Sequence, residues 1–258
     1  MCLVAVIQVS DEQLRAFRGQ GYVVVPGVLD AGQIAEGRAI VAALLEREPI
    51  PDGHVGIHFL WPQFGPQGHP LLEFYRSIGL AEVASQFLRA DLALDEPAAG
   101  QVALTIPHYK HRPGGPHVDG ITPPEPGGWP GTFSLLAGAW LTDNSEVDQG
   151  NLWVWPGTHL RLGQYLAERG AEALTRIEEM NPGPYPDVEL GTPVQATGPA
   201  GSVLFAHYLL GHNIGGHFGP ADSERRETLY YRLRAHGHRD RWRQVVTDPM
   251  LEFRNPAS

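Results

Sequence analysis

Residues 132–141 read TFSLLAGAWL, a ten-residue run of β-type texture set between turn signals. Similar short runs lie on both sides: QVALTI at 101–106, NLWVW at 151–155, PVQA at 193–196, SVLFAHYL at 202–209 and TLYYRLR at 228–234. Short strands at such spacing predict a sandwich or jelly roll. One helical insertion, about 160–180, interrupts them. Upstream the texture is helical. Ser10 with Gln13, and Asp30 with Gln33, are capping-box patterns. The first opens a short helix with Leu14 and Phe17 inward; the second opens one with Ile34, Val41 and Leu45 at helical spacing to about Glu46. GYVVVPG at 21–27 reads as a β run, 47–69 as loop, and 71–88 as helix. The expected fold is mainly β with helical additions, in one domain spanning 1–258. A helical layer at about 10–95 packs against a β core at about 100–235.

The totals bound the function. The 258 residues can bury a sizeable core without disulfide staples, and the single cysteine, Cys2, lies outside any metal-ligand spacing. Net charge is −10, and no Lys/Arg block suggests a nucleic-acid or anionic-membrane footprint. The apolar start, MCLVAVIQVS, lacks a basic n-region and is too short to span a bilayer. A cytoplasmic protein with a small-molecule substrate is expected.

The chemistry is concentrated in GGPHVDG at 114–120. In an extended segment the side chains of His117 and Asp119 point to one face and can converge on a metal ion. By itself a His-x-Asp pair also fits a surface turn, where Asp tolerates the bend. A third donor would come from HYLLGHNIGGH, as His207, His212 or His217, whose spacing of five does not choose among them. Two histidines and a carboxylate with open positions opposite make the facial triad of non-haem Fe(II) oxygenases. A carboxylate-bearing cosubstrate then needs a cation, and arginine's planar fork suits it. Arg225 and Arg226 open the next β run, and periodicity does not decide between them, since both faces mix polar and apolar residues.

Several stretches resemble the phytanoyl-CoA dioxygenase family of Fe(II)- and 2-oxoglutarate-dependent oxygenases. They are FRGQGYVVVPGVLD (17–30), HVD (117–119), GAWLTDNSEVDQGNLWVWPGTH (138–159) and SVLFAHYLLGHNIGG (202–216). The resemblance covers most of the chain. It implies a double-stranded β-helix with His117, Asp119 and His212 as metal ligands, the last on the strand that carries His207 five positions earlier. It implies Fe(II), 2-oxoglutarate and O₂ as cofactor and cosubstrates, with succinate and CO₂ released and hydroxylation of an unactivated C–H bond as the favoured outcome. Leu229, three places on, favours Arg226 over Arg225 as the carboxylate partner. Gln101, Thr105 and Trp140 match positions where related sequences contact cosubstrate or line the site. HNIGGH departs from the usual His-Gly-Ser-x-x-Asn and lacks its serine. Asp119 speaks for oxygen insertion, because halogenases that resemble the family carry a small residue there. The alternatives are a β-helix binding protein without catalysis and a Zn or Mn enzyme of the same shape that does not use 2-oxoglutarate. Trp61, Trp129, Trp153 and Trp155 are candidates for pocket or core, HGHRDR (236–241) reads as a solvated segment, and the loops 51–69, 120–131 and 181–192 are expected to roof the site.

Overall fold

The structure, a computed structural model, describes residues 7–120, 129–179 and 185–254, without the side chains of 176–179. Most of the loop expected at 120–131 and the start of that at 181–192 lie outside the described residues, as does Cys2.

Both capping boxes form. Ser10 and Gln13 bond reciprocally at the start of α1 (Asp11–Gln20), as do Asp30 and Gln33 at α2 (Ala31–Leu45). Each pair satisfies two backbone N–H groups that the first helical turn leaves open. Between them runs β1 (Tyr22–Val25). The helix expected over 71–88 is two, α3 (Pro70–Ser77) and α4 (Leu80–Ser85), divided at Gly79, whose φ of +65° ends one helix and starts the next. The stretch read as loop at 47–69 contains a strand, β2 (Ile57–Leu60). Its pairing with β3 (Gln101–Thr105) is long-range, Ile57 opposite Thr105 and Leu60 opposite Val102, so four residues suffice without a strong local pattern.

The remaining strands are β4 (Leu135–Trp140), β5 (Leu152–Val154), β6 (Val194–Gln195), β7 (Val203–His207), β8 (His212–Ile214) and β9 (Arg226–Leu233). They form two antiparallel sheets, a six-stranded one in the order β1-β7-β4-β9-β3-β2 and a three-stranded one in the order β6-β5-β8. This is a double-stranded β-helix. The segment 202–216, read as one strand, is folded at Tyr208–Gly211: Leu210 N–H donates to the His207 carbonyl, and His212 opens β8 in the other sheet. Thus His207 and His212 stand on different sheets.

Strand alternation sorts the side chains of β9. Leu229, Tyr231 and Leu233 pack with Phe17, Val41, Leu71, Phe74 and Phe87 of the helical layer. Arg226, Thr228, Tyr230 and Arg232 take the opposite parity, toward the interior between the sheets, where Tyr230 packs near Leu136, Trp140, Leu152 and Val154. A helix α5 (Thr158–Arg169), a 3₁₀ segment (Ala171–Glu179) and α6 (His238–Thr247) complete the fold. The helical insertion is therefore only partly α. The C-terminal HGHRDR is not uniformly solvated: His236 is exposed, but His238 is buried. Its Nδ1 lies 3.0 Å from Glu252 Oε2, and Ser134 Oγ donates to the same carboxylate at 2.6 Å. Burial opposes ionisation of Glu252, yet hydrogen bonds from His238, Ser134 and Arg241 keep its carboxyl below the usual range.

Candidate metal centre and carboxylate pocket

His117 lies in no regular strand; it meets His212 in an isolated antiparallel bridge. His117 N–H donates to the His212 carbonyl at 3.0 Å and His212 N–H donates back at 3.2 Å. The two backbones are thus fixed to each other, and the imidazole rings lie 4.6 Å apart. Asn213 Nδ2–H donates to the Gly115 carbonyl at 2.7 Å and ties the same two segments once more. The ligand-bearing atoms of His117, Asp119 and His212 lie within 4.8 Å of one another, the one such group of three among the described residues.

Ring hydrogen bonds distinguish the three histidines, on which the spacing is silent. His207 accepts from Leu209 N–H at Nδ1 (3.0 Å) and donates from Nε2 to the Pro249 carbonyl (2.7 Å). His217 accepts from Gly219 N–H at Nδ1 (3.2 Å) and donates from Nε2 to the Glu224 carbonyl (3.0 Å). Both nitrogens of each ring are in use. His212 differs: Nδ1 donates to the Leu210 carbonyl at 3.0 Å, which leaves Nε2 with its lone pair facing Asp119. His207→Ala should lower the melting temperature, because it removes two buried hydrogen bonds, while the folded variant keeps wild-type metal affinity. His217→Ala should likewise keep it. A metal titration of both, beside a thermal melt, checks this; loss of affinity in either would transfer the ligand role.

The carboxylate is divided. Asp119 Oδ1 lies 3.3 Å from His117 Nε2 and 3.5 Å from His212 Nε2. Oδ2 accepts from Arg232 Nε (3.1 Å) and Nη2 (2.5 Å), and Nη2 also donates to Gln101 Oε1 at 3.1 Å. One oxygen therefore remains for a cation. Burial works against ionisation of Asp119, but the Arg232 guanidinium, with both histidines, holds it well below the usual carboxylate range. Burial pulls His212 down, and Asp119 outweighs it, so His212 titrates above its ordinary value. Arg232 carries no sequence motif. Its signal is parity alone: it shares the face of Arg226 further along the same strand.

The two candidate arginines separate cleanly. Arg225 is partly exposed and pairs with Glu227 at 2.8 Å. Arg226 is 2% exposed, and its one side-chain hydrogen bond among the described residues runs from Nη2 to the Tyr230 hydroxyl at 3.0 Å. Its Nε and Nη1 are buried without a partner. Thr105 stands opposite Arg226 in the β3–β9 register, and Trp140 stands opposite Thr228 in the β4–β9 register. Thr105 Oγ1, Thr228 Oγ1 and Trp140 Nε1 are also buried without partners. Unpaired buried donors are costly, a guanidinium most of all. These donors gather near one end of β9, outside the lining of the triad cavity; Arg226 borders a second cavity with Thr142, Gln149 and His217.

A cavity of about 350 Å³ contains the triad. Leu136, Leu152, Ile214 and Tyr230 line it within, and Ile57, Phe59 and Trp61 line it toward β2. Tyr230 borders this cavity, and its hydroxyl accepts from Arg226, so its own O–H proton is available to a group inside. Sequence reasoning missed Tyr230 as well as Arg232. Gln101 lines the cavity on Arg232, not beside Arg226. Trp140 is fully buried against Gly198, outside the cavity lining. Of the other tryptophans, Trp61 lines the cavity, Trp155 is buried, and Trp153 and Trp129 lie under the guanidinium groups of Arg112 and Arg239.

Solved structures share this fold. The non-heme alpha-ketoglutarate-dependent carbocyclase SnoK from nogalamycin biosynthesis superposes with a TM-score of 0.58 at 22% identity, over 88% of this chain and 85% of its own. HygX from Streptomyces hygroscopicus, solved with nickel and 2-oxoglutarate, gives 0.54 at 19%, over 87% and 86%. EctD from S. alaskensis, solved with 2-oxoglutarate and 5-hydroxyectoine, gives 0.56 at 19%, over 88% and 76%. No curated protein sequence matches. Residues 17–222 match the family described as Phytanoyl-CoA dioxygenase (PhyH). That span takes in the whole triad and most of both sheets, and the chain belongs to the phytanoyl-CoA dioxygenase family.

Proposed function

We propose that the protein is an Fe(II)- and 2-oxoglutarate-dependent dioxygenase that hydroxylates an unactivated C–H bond of a small or medium organic metabolite. The observation that carries this is the pairing of a His-Asp-His triad with a buried arginine whose Nε and Nη1 have no protein partner. His117, Asp119 and His212 would hold Fe(II), a donor set of imidazole and carboxylate that suits this ion. Arg226, with the Tyr230 hydroxyl and Thr105 Oγ1, would hold the far carboxylate of 2-oxoglutarate. When bound, Fe(II) with 2-oxoglutarate and O₂ supplies the oxidant for the C–H bond, with succinate and CO₂ as coproducts.

This chain's own residues do the rest. Arg232 occupies Asp119 Oδ2, so Asp119 would meet a metal through Oδ1 alone. The Leu210 carbonyl fixes the His212 tautomer with Nε2 as the ligand. Leu136, Leu152 and Ile214 exclude water around the cosubstrate. A small-molecule substrate and a cytoplasmic setting complete the proposal.

Asp119→Gly tests it. Arg232 keeps water access in the variant, since its side chain is a quarter exposed, so the fold should persist by circular dichroism. Succinate formation from 2-oxoglutarate should fall below detection. A variant that releases succinate at the wild-type rate would refute the assigned role of Asp119.

A further inference from the structure

We propose that the substrate is an uncharged molecule with a flat, apolar ring system, held face-on by Phe59 and Trp61; this rests on the oxygenase reading above. β2 is the outer strand of the six-stranded sheet. Leu60 turns into the core with the helices, while the opposite parity, Ile57, Phe59 and Trp61, lines the cavity that contains the triad. Phe59 is 38% and Trp61 51% exposed. Aromatic side chains commonly bury roughly 150–250 Å² each, so two left open side by side forgo a large stabilisation. Phe59 stands on an edge strand and Trp61 just past its end, where exposed apolar groups invite association with another chain. Their ring centroids are 6.1 Å apart at an interplanar angle of 43°, so neither covers the face of the other. The pair forms an apolar ledge at the mouth of the cavity.

Charge recognition is weak at this ledge. Among the described residues, Arg232 is the one charged member of the lining apart from the triad, and it is already engaged. It donates twice to Asp119 and once to Gln101, and its guanidinium lies 5.0 Å over the Trp61 ring and 5.9 Å over that of Phe133. The polar side chains of the lining carry no charge and are partly engaged, with the Tyr230 O–H still free to donate into the cavity. Gln101 Oε1 accepts from Arg232, Asn213 bonds the Gly115 carbonyl and the Ile214 N–H, and the Tyr230 hydroxyl accepts from Arg226. An ionic substrate would lose water there with no free counter-charge among the described residues, an unfavourable exchange. A flat apolar ring meets what is open: the Phe59 ring, the Trp61 face away from Arg232, Ile57 and Ile214.

The test uses the full chain loaded with Fe(II) and 2-oxoglutarate without oxygen. Four probes of one shape are titrated by calorimetry: 2-naphthol, 2-naphthoate, 2-naphthylmethylammonium and decahydro-2-naphthol. The expected result is that 2-naphthol binds at least about tenfold tighter than the other three. Phe59→Ala and Trp61→Ala should each weaken it by about fivefold, within the range of lost aromatic pairing. Affinity for 2-oxoglutarate, measured in the same preparations, should be unchanged in both variants. The ring proposal is overturned if a charged or the saturated probe binds most tightly, if none binds, or if neither variant weakens 2-naphthol. Failure of the oxygenase reading looks different, because the wild-type protein would then not bind 2-oxoglutarate at all.

Discussion

His212→Ala should lower Fe(II) affinity at least about a hundredfold, more than the 10–100-fold that usually follows loss of a group merely supporting a ligand. The reason is specific to this residue. Among the three histidines between 207 and 217, it is the one whose Nε2 is not spent on a backbone carbonyl. Its neighbour across the bridge, His117, stays in place through the reciprocal backbone bonds, which do not involve the side chain. The variant should therefore fold, and its loss should be chemical. Deleting His212 also removes one of the groups that favour the ionised Asp119, so the damage extends beyond one ligand. A metal titration in which His212→Ala retains more than about a tenth of wild-type affinity would remove it from the site.

The second large effect concerns Arg226. Arg226→Ala should raise the apparent KM for 2-oxoglutarate by at least about tenfold, since bonds to a charged group are worth roughly 1.5–3 kcal/mol each. Arg226→Lys should recover only part, because an ammonium lacks the planar fork. Tyr230→Phe removes one hydroxyl and should give a smaller increase, about threefold to tenfold, in keeping with a single bond. Arg225→Ala should change little, as Arg225 is partly exposed and pairs with Glu227. Dissociation constants for 2-oxoglutarate across the four variants decide the matter. Equal effects at Arg225 and Arg226 would mean general electrostatics and no specific fork.

Much of this architecture is legible in the amino-acid sequence. HVD holds two of the three side chains that converge, the capping boxes place α1 and α2, and all seven β-type runs fall on strands of the two sheets. What escapes is everything decided by distant partners. β2 has four residues of weak alternation, and its existence depends on β3, more than forty positions on. His238 sits in a polar, charged stretch, and nothing local shows that Ser134 and Glu252 bury it. Which of Arg225 and Arg226 faces the interior cannot be read from two mixed faces; it is set by which face the helices cover, through Leu229, Tyr231 and Leu233. Arg232 and Tyr230 are visible in the sequence only as residues sharing a face with Arg226. The role of Arg232 comes from Asp119, contributed by a segment 113 residues away. Trp140, like Thr105 and Arg226, is buried outside the lining of the triad cavity, a placement that position in the chain does not show.

The most direct measurement is calorimetric titration of 2-oxoglutarate, without oxygen, into the protein with and without Fe(II). The expected result is one site per chain, with saturable binding that needs the metal and disappears in His212→Ala. It should weaken at least about tenfold in Arg226→Ala. Binding that is equal with and without metal, or no binding to the iron-loaded wild-type chain, would contradict a triad and an arginine built to hold one cosubstrate between them.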